Sequence, residues 1–112
     1  MVKLENIGSE AYQRHVVTFE ESEVVVGLRF HPTVAMWTID VEYKGVQALG
    51  HKLSVNVLHM RSRNYPFDFI VVDNSGNDLD PFRLDDFTVG RCELYMLGSD
   101  DMEGIRNAPV PL

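Results

Sequence analysis

Met36-Trp37-Thr38-Ile39-Asp40-Val41-Glu42-Tyr43-Lys44-Gly45 decides the fold. Trp37, Ile39, Val41 and Tyr43 fall on one face of an extended strand, and Thr38, Asp40, Glu42 and Lys44 fall on the other. Strict period-two alternation is the mark of a strand with one buried face. Trp37 is the only tryptophan in the chain. Burying such a ring removes on the order of 200 Å² from water, so it is expected to anchor a core. Lys44-Gly45 reads as a tight turn into the apolar run over residues 46–49, which makes the two runs a hairpin.

Upstream, residues 14–20 (RHVVTFE) carry the strong β-formers Val16, Val17, Thr18 and Phe19. Glu21-Ser22 is a polar break of hairpin length. Residues 23–30 (EVVVGLRF) then place Val24, Val26, Leu28 and Phe30 on one face. Gly27 inside that strand predicts a bulge or a close backbone approach. His31-Pro32-Thr33 ends it, because proline lacks the N–H a ladder needs.

Downstream, residues 51–60 (HKLSVNVLHM) fit two periods: Leu53, Val55 and Val57 alternate as in a strand, whereas Leu53, Val57 and Met60 have helical spacing. An irregular turn or a short helical piece is expected there. Residues 61–66 read as a loop and residues 67–73 (FDFIVVD) as a strand. Residues 73–86 are dense in Asp, Asn, Ser and Gly, a turn-forming and acidic stretch of about fifteen residues between strands. Residues 90–98 form the last strand, with Cys92, Leu94 and Met96 on one face.

Residues 1–12 read as an arm or a loose first strand, and residues 99–112 as a tail, because both lack period-two patterning. The sum is an all-β chain: a single small antiparallel β-sandwich or partly open barrel of about six strands with extended terminal arms. It is one domain over residues 1–112, with its body at about residues 14–97. The expected structural core is Val26, Leu28, Phe30, Trp37, Ile39, Val41, Phe69, Val71, Cys92 and Leu94.

Charge and composition exclude several functions. Seventeen acidic residues against ten basic ones leave a net charge of −7, so a polyanion would be repelled and no direct nucleic-acid contact is expected. Met60-Arg61-Ser62-Arg63-Asn64, the one local exception, reads as a solvated loop. Cys92 is the only cysteine. It cannot form an internal disulfide, so the fold does not depend on an oxidising compartment. A buried thiol is expected, since no base accompanies it to make a nucleophile. No run approaches the roughly 18 apolar residues of a membrane span, and residues 1–6 lack a signal-type apolar segment. No membrane contact is expected, and synthesis in a cytoplasm is.

Chemical motifs are lacking. His15, His31, His51 and His59 have no ligand spacing. Asp73, Ser75 and Asn77 alternate as in a calcium loop, but Asp78 and Leu84 stand where that loop needs glycine and glutamate. No nucleophile elbow or phosphate loop occurs. The acidic pairs Glu20-Glu21, Asp85-Asp86 and Asp100-Asp101 read as charge directed into solvent. Neither an enzyme nor a cofactor is expected.

The order of landmarks resembles the small baseplate plug proteins of contractile-tailed phages, the group that includes the cyanophage baseplate plug. The residues that carry the likeness are Val26-Gly27-Leu28-Arg29-Phe30, Trp37-Thr38-Ile39-Asp40-Val41 and Ala48-Leu49-Gly50. Phe69-Ile70-Val71-Val72-Asp73, the loop over residues 74–84 and Val89-Gly90-Arg91-Cys92-Glu93-Leu94-Tyr95 complete it. The likeness covers about residues 14–97 and does not extend to the tail.

It implies a structural component of the virion tail baseplate, a plug-like protein near the central hub that bridges hub or tube to wedge or sheath-initiator components. The implied partners are other tail proteins (hub, tube, spike, wedge or sheath initiator), with multiple copies of this chain in a ring. The candidate partner contacts are Asp78, Asp80, Asp85, Asp86, Pro109 and Pro111. The alternative from the residues alone is a small β-barrel adaptor or ligand-binding module in the cytoplasm.

Overall fold

A computed structural model describes residues 1–60 and 65–101 of the chain. Seven strands follow one another: β1 (Val2–Lys3), β2 (Tyr12–Phe19), β3 (Ser22–His31), β4 (Met36–Tyr43), β5 (Val46–Lys52), β6 (Phe67–Asp73) and β7 (Cys92–Gly98). They build two antiparallel sheets, one ordered β2-β3-β4-β5 and one ordered β1-β7-β6. The chain is an open sandwich and does not close into a barrel.

The four-stranded sheet is a meander because short turns join its strands. Lys44 and Gly45 both have positive φ (49° and 78°), as do Glu20 and Glu21 (47° and 67°). Such backbone matches the right-handed twist of the flanking strands. Alternation then sorts the faces. Val24, Val26, Leu28, Trp37, Ile39, Val41 and Ala48 from this sheet are buried in one core with Phe67, Phe69, Val71, Cys92, Leu94 and Met96 from the other. Aromatic contacts bind the layers: Tyr43 meets Phe67 edge-on at 5.1 Å, and Trp37 meets Phe87 edge-on at 5.4 Å. Among the core residues named from sequence, Phe30 alone is half-buried. It packs on Trp37 with ring centroids 5.5 Å apart.

Several expectations change. Of the two readings of residues 1–12, arm or loose first strand, the strand holds in part: Val2 and Lys3 pair with Met96 and Tyr95, and Leu4 is buried with its N–H donated to Leu94 O. Two residues are too few to show a period, which is why the sequence left arm and strand open. Residues 53–60 form no helix. They run irregularly along the edge of β6, where Val55 bridges Val71.

Gly27 causes no break in β3. It lies opposite Asp40, the residue at which the β4–β5 register shifts, and a Cβ placed on it would come within 3.4 Å of the Asp40 Cβ. The close approach anticipated there is to Asp40, the single β4 residue that faces the bulged Leu49-Gly50 of β5. Asp40 Oδ1 fixes that bulge by accepting the Gly50 N–H at 2.6 Å. The loop reading of residues 61–64 and most of the tail, Pro109 and Pro111 included, lie outside the described residues.

Candidate docking surface

The long connection between β6 and β7 is fastened from within by Arg91. Its Nε and Nη2 donate to the two oxygens of Asp86, each at 2.8 Å. Nη1 reaches Asp73 Oδ2 at 3.2 Å. Nη1 and Nη2 also donate to the carbonyls of Leu79 and Asp80, both at 3.1 Å. The guanidinium lies 5.0 Å from the Phe82 ring centroid. A planar five-donor fork is the side chain able to satisfy so many acceptors at once.

Each carboxylate in turn organises backbone. Asp86 Oδ2 accepts the N–H groups of Phe82 and Arg83, both at 2.7 Å. Asp73 Oδ1 accepts from the Ser75 N–H and hydroxyl, and its Oδ2 accepts the Leu79 N–H at 2.8 Å. Hydrogen bonds from Ser75, with further ones from backbone, hold the Asp73 carboxyl down at about 2. Burial pushes the Asp86 carboxyl upward, but bonds from Arg91, Arg83 and Phe82 outweigh this and leave it below the usual range. The bond to Asp86 raises Arg91 above its ordinary value.

Three further ties bind the loop to the body. Trp37 Nε1 donates to Arg83 O at 3.0 Å, the Val55 N–H donates to Asp80 Oδ1 at 2.9 Å, and Lys52 Nζ pairs with Asp80 at 3.5 Å. The indole is thus core anchor and loop clamp together. Ser9 and Thr88 hydroxyls meet at 2.9 Å, joining the loop to the residues that precede β2.

The candidate contacts therefore divide. Asp78 and Asp85 are exposed, Asp78 with one bond from Asn56. Asp80 is half-buried and tied to Val55 and Lys52. Asp86 was expected at the surface and is a correction: it is 1% exposed, and its oxygens are taken by Arg91, Phe82 and Arg83. Adjacent carboxylates on a loop do point apart, but here one of the two points inward. The sequence reading missed Leu79, Phe82, Leu84 and Val89, which are all exposed on the same loop. Large apolar residues recurring in a turn-rich acidic stretch were the available signal.

His31 Nε2 meets the Thr38 hydroxyl at 2.9 Å. His59 accepts the Ser54 N–H at Nε2, which leaves its Nδ1–H to donate to Phe69 O. Among the described residues no group of three or more His, Cys, Asp or Glu is placed to share a metal ion. Cys92 is buried, and burial pushes its thiol up to about 12, far from the thiolate a nucleophile requires.

No curated protein matches the chain in sequence. A family model described as "Cyanophage baseplate Pam3 plug gp18" matches residues 1–100. That span takes in both sheets and the Arg91-fastened loop, and the chain belongs to this family of phage baseplate plugs.

Proposed function

We propose that this baseplate protein is a plug seated near the central hub, where it docks hub or tube to wedge or sheath-initiator components in several copies arranged as a ring. Its work is docking and not catalysis. One observation carries the reading. The loop over residues 74–91 is held rigid by Arg91 and Trp37, yet it presents Leu79, Phe82, Leu84 and Val89 to solvent beside Asp78 and Asp85. A monomer gains nothing by exposing large apolar side chains on a pre-organised loop, whereas a partner that covers them does. The matching surface is an apolar recess rimmed with Lys or Arg.

Replacing Leu79 and Val89, the most exposed of the four, together by Ser tests this. The variant is expected to keep its melting temperature within a few degrees, because both side chains are already wet, and to be missing from assembled tails. Normal incorporation of the folded variant would remove the loop from the proposal. A photocrosslinker at position 82 identifies the neighbour, and a hub or tube protein is the expected product. Pro109 and Pro111 belong to the same proposal. Equal protease resistance of residues 99–112 in free protein and in assembled tails would strike them from it.

A further inference from the structure

Edge strands present unpaired N–H and C=O groups and are where a sheet meets another chain. The two sheets have four edges, and three are blocked or minimal. Along β6, Val55 bridges Val71, and the Asn56 N–H donates to Val71 O. In β5 the Asp40 bulge and Gly50 (φ 70°) break the line, and Tyr65 donates to Val46 O at 2.7 Å. β1 is two residues long.

β2 alone is long, regular and free of Gly and Pro. Ala11 O accepts the Phe30 N–H, so the bonded pairs with β3 are Gln13–Leu28, His15–Val26 and Val17–Val24. The N–H and C=O groups of Tyr12, Arg14, Val16 and Thr18 therefore point away from β3. None of them has a backbone partner among the described residues. Their side chains are exposed, Val16 at 51%.

Charge along this edge is lopsided. Arg14 and Arg29, whose guanidinium lies 4.7 Å from the Tyr12 ring centroid, stand at one end. Glu20, Glu21 and Glu23 stand at the other, with Val16 between. An edge of that kind complements an antiparallel copy of itself. We propose that two copies of this chain pair β2 to β2 about a two-fold axis at Val16, giving one continuous eight-stranded sheet. In that register Val16 meets its counterpart. Arg14 lies opposite Thr18 of the second copy, in the cross-strand row that runs on to that copy's Glu23. Centring the pair on Arg14 would set arginine against arginine. Centring it on Thr18 would leave Arg14 overhanging the Glu20-Glu21 turn.

Sedimentation equilibrium of the full chain tests the pairing, and the result does not depend on the baseplate reading. Wild type is expected to show a monomer–dimer equilibrium. Val16→Pro removes an outward donor while leaving every bond to β3 in place, so it should melt like wild type and dimerise at least about tenfold more weakly. R14E and E23R should each weaken the dimer about threefold or more, since the Arg14–Glu23 row occurs twice. R14E/E23R should restore it to within about twofold. A wild type that stays monomeric at every concentration, or a folded V16P that dimerises as well as wild type, overturns the proposal. Should V16P not fold, the charge-swap set decides: failure of the double variant to recover rejects the pairing.

Discussion

Arg91 shows how one side chain fixes a loop that has no regular structure of its own. Its removal leaves two carboxylates that are each almost wholly buried, Asp73 and Asp86, without their cation. Breaking the Arg91–Asp86 pair costs about 3 kcal/mol, so Arg91→Ala should lower the urea midpoint accordingly. Arg91→Lys should recover little of this, since an ammonium cannot span both Asp86 oxygens.

The same two acids set the acid limit of the fold. Their folded-state pKa values are depressed, Asp73 to about 2, whereas in the unfolded chain an aspartate titrates near about 3.9. Their stabilisation is therefore complete above the unfolded value and is lost as pH falls toward about 2. Wild type should lose urea stability steeply over that window, and Arg91→Ala should lose less, because part of its contribution is already gone. None of this was legible in sequence. Asp85 and Asp86 are chemically identical there, and only the path of the loop around Arg91 turns one of them inward.

At the scale of elements, the strands were legible wherever a period ran over several residues, and illegible where tertiary contact alone defines them. Trp37, Ile39 and Val41 alternate and are buried as alternation requires. β5 runs on to Lys52, past Gly50, because the Asp40 bulge resets its register in a way no pattern reveals. The two hairpin turns make the same point. Lys44-Gly45 is readable because glycine accepts positive φ freely. Glu20-Glu21 adopts the same backbone without any such residue, and the sequence reading put the break one position late. A non-glycine residue in the left-handed region costs on the order of 1 kcal/mol. Glu21→Gly, with φ at 67°, should therefore raise the midpoint of thermal unfolding modestly, by about 0.5 kcal/mol of stability once the entropy of the new glycine is deducted.

For the whole molecule, the two sheets differ in how the chain reaches them. In the four-stranded sheet, neighbours in space are neighbours in sequence. In the other, Val2 pairs with Met96 and Lys3 with Tyr95, so the first strand finds its partner only after nearly all the described residues lie between them. Local contacts form fast and distant ones slowly. During synthesis the meander can assemble behind the ribosome exit while β1 waits for a strand not yet translated. Held by two paired residues, the buried Leu4 and two partly exposed ion pairs (Met1 with Asp101, Lys3 with Glu93), β1 should also be the first piece to let go. Amide exchange should find Leu4 and Met96 opening far below the global unfolding free energy while Val26 and Val41 stay closed. The protein thus carries a seam sealed last in its making and expected to loosen first in its wear, a clasp on a baseplate part and not one of its beams.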